Sequence, residues 1–210
     1  MAFAQGETAA AIRAGLGSVL RGRRQAARRT LSEIAAEWHE DAIDTIFDFL
    51  LKDEAATSVA VFGMSEPDVA LALQQPWVAV DNDDSGTSPE GILGADHPHP
   101  RAYGTFPRIL AKYVRQEGKL SLADAIRKFT ALAAQRMHLS DRGVIKLGMW
   151  ADLVVFDPQT VRDLATYDNP NQFSQGMSYV LVNGVPVMDA GKMTGARPGK
   201  VLRGPGYPRP

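Results

Sequence analysis

The chain has 210 residues, of which 45% are hydrophobic and 22% are charged, and its formal net charge is −1. This composition is typical of a folded globular protein with one sizeable core or two small ones. The sequence has no cysteine, which excludes disulfides and thiolate metal ligands and fits a reducing compartment. Because no apolar run approaches the roughly 18 residues of a membrane-spanning helix and no secretory signal is visible, we expect a cytoplasmic protein with no membrane partner.

Residues 1–29 form an atypical segment that is rich in arginine and alanine. Up to residue 30 the chain has six arginines and one acidic residue, Glu7. Such a basic start suits a nucleic-acid arm, a transit peptide or a solvated helix face. Because few aromatic side chains are available there to stack on bases, we favour the solvated face and expect no nucleic-acid partner.

The segment after residue 29 has helical periodicity. Apolar positions recur at helical spacing before and after a break at His39 and Glu40, which predicts two short amphipathic helices. Their apolar positions are Leu31, Ile34, Ala35 and Trp38 in the first helix and Ile43, Phe47, Leu50 and Leu51 in the second.

Two continuous apolar runs follow, at residues 58–62 (SVAVF) and 77–80 (WVAV). Runs of this kind are typical of strands that are buried on both faces of a parallel sheet. Between them, Ser65 and Asp68 have the spacing of a capping box, which predicts a short helix. The order strand, helix, strand predicts a βαβ unit whose strands end in polar loops.

After residue 142 the periodicity changes from helical to extended. Before this point, Ser121 and Asp124 have capping-box spacing and predict the start of a helix. After it, residues 151–156 (ADLVVF) predict a strand. The dipeptide Asn183-Gly184 predicts a two-residue hairpin, because both central positions of a type I′ turn need positive φ.

Three carboxylates, Asp81, Asp83 and Asp84, crowd the end of the second predicted strand. Like charges at this spacing repel one another unless a cation, hydrogen bonds or water compensate them. On these residues alone, either a solvated turn rich in Asp and Asn or a functional carboxylate fits the pattern. The loop that follows ends in the run HPHPR at residues 97–101.

Two stretches of the sequence resemble one enzyme family. Residues 77–108 (from WVAVDNDD to HPHPRAYGTFPR) resemble the last barrel strand and following loop of the D-aminoacylase, or N-acyl-D-amino-acid deacylase, branch of the amidohydrolase superfamily. Residues 143–158 (GVIKLGMWADLVVFDP) resemble the return strands of these enzymes. The resemblance implies an α/β fold, in which residues 30–142 form the last strand–helix units of a metal-dependent hydrolase (β/α)8 barrel and residues 143–210 add C-terminal strands of a small β-sandwich domain. A barrel needs about 200–250 residues, so we expect it to be incomplete in this chain.

The resemblance also implies roles for two residues. Asp83 corresponds to the family aspartate that contacts the zinc-bound water and acts as general base, and it is the family's only metal-site position found in this sequence. Arg101 corresponds to the arginine that binds the α-carboxylate of the substrate through two parallel hydrogen bonds. Because Asn82-Asp83-Asp84 replaces the Ser-Asp-Gly of better-known members, Asp81 and Asp84 stay open as alternative bases.

The histidines are interpreted differently. His97 and His99 form an H-x-H pair, a pattern that the family uses to bind zinc after its first barrel strand. Here the pair lies in a proline-restricted loop after the last predicted strand, so we do not expect it to bind metal. His39 and His138 stand alone on helical segments and are interpreted as packing or surface residues.

We therefore expect the C-terminal part of a zinc-dependent amidohydrolase that hydrolyses the amide bond of N-acyl-D-amino acids or similar linear amides. Zinc is the implied cofactor and a small N-acyl amino acid the implied substrate. Because other metal-site residues of the family are missing, we expect the chain to be inactive by itself. The alternative is a catalytically silent fragment or an accessory chain, and the uncovered strand edge of an incomplete barrel favours a homo-oligomer or a complementing chain.

Overall fold

The computed structural model describes residues 11–14, 29–52, 54, 57–60, 63–204 and 206–207. The chain divides into two compact units, which are described separately. The first unit consists of residues 1–68 and 86–99, and the second of residues 69–85 and 100–210. Of the arginine-rich segment, the structure describes Ala11–Ala14 and Arg29, and these residues lie in strands, so the predicted solvated helix face is wrong there. For the rest of the segment, which lies outside the described residues, it stays a prediction.

The first unit contains a three-stranded antiparallel sheet. Its strands are β1 (Ala11–Ala14), β2 (Arg29–Thr30) and β3 (Thr57–Ala60), in the order β2-β1-β3. β3 lies where the sequence predicts a strand at residues 58–62, of which residues 61–62 lie outside the described residues. The predicted parallel pairing is wrong, because β3 pairs antiparallel with β1. Its partner comes from the N-terminal segment, where the sequence predicts no strand.

Two helices in the first unit confirm the predicted periodicity. They are α1 (Leu31–Trp38) and α2 (Ala42–Lys52). α1 begins with a complete capping box, in which Glu33 N donates to Thr30 Oγ1 at 3.2 Å and Thr30 N donates to Glu33 Oε2 at 2.7 Å. These bonds satisfy backbone groups that the first turn of a helix leaves without partners.

A small core lies between α1 and α2. Ile34 and Phe49 are buried there, and the Trp38 ring stacks on Phe49 with 6.1 Å between centroids. On α2, Thr45 and Phe49 are the buried positions. The apolar positions predicted for this helix are exposed, namely Ile43, Phe47, Leu50 and Leu51. The periodicity therefore predicts the helix correctly but not its buried face, because that face depends on which neighbour the helix meets.

The chain passes from the first unit to the second within α3 (Glu66–Gln74). This helix begins at its predicted cap, where Asp68 N donates to Ser65 Oγ at 3.3 Å. Residues 77–80, which the sequence predicts to be a buried strand, belong to no sheet of the described chain. That prediction is wrong. A strand needs a neighbouring strand for its backbone hydrogen bonds, and Val80 N donates instead to the Lys128 carbonyl in a helix, at 3.4 Å.

Apart from the end of α3, the helices of the second unit follow residue 100. They are α4 (Arg101–Arg108), which continues into a π-helical segment (Ile109–Gln116), α5 (Leu122–Phe129) and α6 (Ala131–Arg136). α5 begins at its predicted cap, where Asp124 N donates to Ser121 Oγ at 3.1 Å. Pro107 has no backbone N–H and lies just before the change from α to π geometry. None of the described helices is both long and apolar enough to cross a membrane.

The core of the second unit joins these helices to the strands that follow. Val80, Phe156 and Met177 are partly buried and pack against it. Val80 thus attaches the chain just before the acidic residues to the core. The buried members of this core are Leu73, Ile109, Leu110, Tyr113, Leu120, Ala125 and Val161.

A four-stranded antiparallel sheet ends the second unit. Its strands are β4 (Leu153–Phe156), β5 (Met177–Val182), β6 (Val185–Asp189) and β7 (Lys192–Met193), in chain order. Asn183 and Gly184 connect β5 to β6 with φ values of 51° and 82°, which confirms the predicted hairpin. Gly176 has a φ of 83°, and a Cβ there would lie 2.5 Å from the Val161 Cα atom, so only glycine fits.

Candidate functional site

Asp83, Asp84 and Arg101 form one polar cluster in the second unit. Arg101 Nη2 lies 2.9 Å from Asp83 Oδ2, and Arg101 Nε lies 3.7 Å from Asp84 Oδ2. The Asp83 side chain is 84% exposed, whereas that of Asp84 is 16% exposed. One guanidinium therefore compensates two neighbouring carboxylates. The cluster brings together the candidate base and the candidate carboxylate-binding residue.

The backbone of residues 81–84 forms a tight polar loop. Asp83 has a φ of 46°, in the left-handed region, which Asp and Asn tolerate better than most residues with a Cβ. Asn82 N donates to Asp81 Oδ1 at 2.7 Å, and Ser85 N donates to Asp84 Oδ1 at 2.9 Å. The carboxylates on either side of Asp83 are thus used to hold the loop. Asp83 combines high exposure with the closest contact to the arginine.

The segment that leads to this loop, residues 75–80, is held by side chains of α5. Lys128 Nζ donates to the carbonyl oxygens of Gln75 and Val78, the second at 3.1 Å. Arg127 Nη2 donates to the Pro76 carbonyl at 2.8 Å. Three carbonyls of the segment are therefore bound by two cationic side chains of one helix. These contacts take the place of the strand neighbours that the sequence leads us to expect.

Lys128 is completely buried, with an exposed fraction of 0%. Burial lowers the pKa of its ammonium group, because loss of water disfavours the charged form. The Asp124 carboxylate opposes this effect from 3.9 Å, and the positive charge of Arg127 adds to it. Asp124 also contacts Arg127 Nη2 at 2.9 Å. One carboxylate therefore faces both cations that bind residues 75–80.

α4 places Arg101 at the start of a closely packed helix. Gly104 lies one turn further on, and a Cβ there would be 3.1 Å from the Asp163 Cβ atom. The Tyr103 ring meets the Phe173 ring edge-on, with 5.7 Å between centroids. A larger residue at position 104 would push α4 away from Asp163. The close packing of α4 therefore helps to set the position of Arg101 at the start of the helix.

The four histidines are distributed over both units, with His39, His97 and His99 in the first and His138 in the second. His97 and His99 belong to the first unit, whereas residues 81–84 belong to the second. His39 and His138 are exposed residues just after helices, with φ values of 56° and 55°. Both are therefore surface residues, which is one of the two predicted alternatives.

No sequence motif points to Arg127 and Lys128. The available signal is that Lys128 lies three residues after Ala125, on the buried side of an amphipathic helix. A lysine is rarely buried unless polar groups pair with it. The sequence does not identify those groups, because they are backbone carbonyls about fifty positions away.

The model of a family described as "Amidohydrolase family" matches residues 13–188. The chain belongs to the amidohydrolase family. It is 39% identical over 175 residues to N-acyl-D-glutamate deacylase of Alcaligenes xylosoxydans xylosoxydans, and the match covers 83% of this chain and 33% of that relative. This amidohydrolase-family chain therefore spans about a third of the length of the curated relative it matches.

Two solved structures of amidohydrolase relatives are similar to the chain. The first, N-acyl-D-glutamate deacylase from Bordetella bronchiseptica in complex with zinc and a phosphonate inhibitor, is 36% identical with a TM-score of 0.68, and the match covers 85% of this chain and 35% of that one. The second, a D-aminoacylase with a binuclear metal centre, is 34% identical with a TM-score of 0.73, and the match covers 90% and 36% respectively. These similarities confirm the resemblance to D-aminoacylases. They also confirm that the chain has an α/β fold found in part of those enzymes.

Among the described residues, the carboxylates and histidines of this amidohydrolase-family chain do not complete a metal site. No three or more His, Cys, Asp or Glu side chains of the described residues are grouped so that they could hold a metal ion. A catalytic zinc is generally held by about three protein ligands. Asp83 is one carboxylate, and its near neighbour is a guanidinium. The described donor set by itself therefore does not fit a zinc centre.

Proposed function

We propose that this chain is the C-terminal part of a zinc-dependent amidohydrolase that hydrolyses the amide bond of N-acyl-D-amino acids or similar linear amides. In this proposal residues 30–142 belong to the barrel and residues 143–210 to the small β-sandwich domain. The observation that carries the proposal is the contact between Asp83 and Arg101, at 2.9 Å. A proton acceptor and a carboxylate-binding group within one cluster are the two functions that such a substrate requires.

Asp83 is the proposed general base. Its exposed carboxylate can take a proton from a water molecule as the water oxygen forms a bond to the amide carbon. The proton then passes to the leaving nitrogen as the carbon–nitrogen bond breaks. Asp84 is less suited to this role, because it is largely buried and accepts a hydrogen bond from Ser85 N.

Arg101 is the proposed binding group for the α-carboxylate of the substrate. A guanidinium binds a carboxylate through two parallel charged hydrogen bonds, so it fixes both position and orientation. Arg101 is 43% exposed and Asp83 is 84% exposed, and an exposed ion pair costs little to separate. A substrate carboxylate can therefore replace Asp83 on Arg101, which leaves the Asp83 carboxylate available as a base.

Zinc is the proposed cofactor, because one similar solved structure contains zinc and another has a binuclear metal centre. Zinc would polarise the amide and activate water in such an enzyme. The described residues lack a donor set for it. We therefore propose that further polypeptide, whether joined to this segment or supplied by a second copy or another chain, takes part in the active assembly.

To test the proposal, a tag is added to this chain at its own gene, and the chain is purified together with any polypeptide that is covalently joined or bound to it. The purified assembly is then assayed with added zinc. The substrates are N-acetyl-D-glutamate, N-acetyl-D-aspartate and their L enantiomers. We expect release of the free D-amino acid with little release of the L form. Asp83→Ala, purified in the same way, is the matched background.

A rate no higher than that of Asp83→Ala for every substrate would contradict the proposed activity. Activity that survives Asp83→Ala would contradict the proposed base but not the reaction. Equal rates with both enantiomers would contradict the D-amino-acid substrate class.

One observation favours an alternative, an accessory chain without catalysis. Ile145 and Leu147 are 92% and 99% exposed in the loop before β4. Neighbouring exposed apolar side chains are typical of surfaces that bind another protein. In that case the tagged chain would purify with a partner, and the assembly would show no deacylation.

A further inference from the structure

The path of residues 75–80 depends on one helix outside the polar cluster. Gln75 O accepts hydrogen bonds from both Val78 N, at 3.2 Å, and Lys128 Nζ. Lys128 Nζ also reaches the Val78 carbonyl, so it binds both ends of this short turn. Lys128 O then accepts from Val80 N. The side chain and the backbone of one residue therefore contact the segment at three of its positions.

Packing alone does not explain a lysine at this position. Burying an ammonium group costs free energy unless hydrogen bonds replace its water. An apolar residue of similar volume would fill the same space without that cost, and such replacements often stabilise proteins. The ammonium group differs from an apolar side chain in that its N–H donors bind particular carbonyl oxygens, and these bonds fix the path of the segment's backbone. Asp83 follows three residues after Val80, so a change in the path of residues 75–80 would shift the loop that carries the Asp83 carboxylate.

We propose that Lys128, assisted by Arg127, is a positioning residue that fixes residues 75–80 and thereby places Asp83 beside Arg101. The catalytic consequence rests on the proposed function, whereas the structural consequence does not. Lys128 does not contact the polar cluster directly. It acts through the backbone between Gln75 and Asp83.

The first experiment measures amide hydrogen exchange by NMR in the full 210-residue chain. Lys128→Met keeps an unbranched apolar side chain and removes the donors. We expect exchange at Val78 and Val80 to accelerate by at least roughly tenfold relative to amides of the β5–β6 hairpin, because a hydrogen bond from a charged donor contributes that order to a local opening equilibrium. Arg127→Met tests the same point at a partly exposed residue and should accelerate the same amides to a smaller extent.

Leu120→Ala is the matched control, because it removes volume from the core of the same unit. It should accelerate exchange in the hairpin and in residues 75–80 together. The proposal is overturned if Lys128→Met and Arg127→Met give this same uniform pattern, or if neither changes exchange at Val78 and Val80. These results require no catalytic activity, so they are independent of the proposed function.

The second experiment is a double-mutant cycle on the naturally purified assembly. If Lys128 acts through Asp83, Lys128→Met should lower kcat by roughly tenfold or more in the native background and have almost no effect when Asp83 is already alanine. KM should change less than kcat, because the proposed substrate-binding residue Arg101 lies on α4, which Lys128→Met does not alter. An equal loss in both backgrounds would overturn the positioning role and leave a general structural one. Absence of activity in every variant would instead overturn the proposed function, while the exchange pattern decides the role of Lys128.

Discussion

The β5–β6 hairpin and the segment that leads to Asp83 obtain their structure in opposite ways. In the hairpin, two strands that are adjacent in sequence pair with each other, and Asn183 and Gly184 set the turn between them. Residues 75–80 have no strand partner among the described residues, and their carbonyls are bound by Arg127 and Lys128 of a distant helix. The first region is determined locally, and the second depends on tertiary contacts.

Because the two regions are held in different ways, changes in them should affect different properties of the protein. A hairpin with its own ladder and turn has its pairing and register set by residues close together in the chain. A segment held by remote side chains is displaced when those side chains change, and this segment carries the candidate base. Changes near the hairpin should therefore lower stability, whereas changes at the polar cluster should lower activity with the fold intact.

The largest expected effect is at the polar cluster. Asp83→Ala should lower kcat by about 10²- to 10⁴-fold, because it removes the proposed proton acceptor. Its exposed side chain contributes little to the core, so the midpoint of thermal unfolding should change little. Asp81→Ala is the control and should have a much smaller effect on kcat. Similar losses for both variants, measured by steady-state kinetics, would mean that the loop acts as a structural unit.

A change beside the sheet should show the reverse pattern. Gly176→Ala should lower the free energy of unfolding by about 2–4 kcal/mol, because a Cβ at positive φ is strained and would also overlap the Val161 backbone. Gly199→Ala, where no atom lies within 4 Å of the new Cβ, should change it by less than about 0.5 kcal/mol. Chemical denaturation measures both values. Equal stability of the two variants would show that the chain at residue 176 moves freely.

Arg101→Lys should have a smaller effect that depends on the substrate. Lysine keeps the charge but loses the two-pronged geometry, so KM for substrates with a free α-carboxylate should rise by about 10- to 100-fold, the cost of one charged hydrogen bond. Substrates with an amidated α-carboxyl group should be affected little by the same change. A comparable loss with both substrate types would assign Arg101 a bracing role for the acidic loop instead.

The smallest effect concerns alkaline pH and Lys128. Burial lowers the pKa of Lys128 below 10.5, the value expected in the unfolded chain. Between these two values the unfolded state binds more protons than the folded state, so this residue makes stability rise with pH up to about 10.5 and removes that gain as pH falls through the lowered pKa. Asp124 and Arg127 are the charged groups that face Lys128; the Asp124 carboxylate opposes the lowering of its pKa, and Arg127 adds to it.

Urea unfolding at a series of alkaline pH values checks this effect. The difference in unfolding free energy between the native chain and Lys128→Met should shift in favour of the native chain as pH rises. A pH-independent difference would show that Lys128 titrates alike in the folded and unfolded states.

Much of the local structure follows from the sequence. The caps at Ser65 and Ser121 identify helix starts, because a side-chain oxygen satisfies a backbone N–H within three residues. The Asn183-Gly184 turn is equally local. The family resemblance also follows from sequence motifs, and it marks Asp83 and Arg101 before any geometry is known. Each of these features depends on residues close together in the chain.

Sequence patterns alone do not give the partners of the apolar runs. The sequence predicts a buried strand both at residues 58–62 (SVAVF) and at residues 77–80 (WVAV). In the structure β3 (Thr57–Ala60) pairs antiparallel with β1, whereas residues 77–80 join no sheet of the described chain. An apolar run reports that a segment is suited to burial, but not which element covers it.

The sequence by itself therefore determined the helix caps, the hairpin turn, the family and the two residues with candidate chemistry. Tertiary structure decided the direction of β3, the irregular path of residues 77–80 and the burial of Lys128 against carbonyls about fifty positions away. The physical reason is the distance along the sequence between the interacting groups. Caps and turns are closed by hydrogen bonds within a few residues, whereas a buried ammonium or a strand edge takes its partner from whichever distant backbone the fold brings to it.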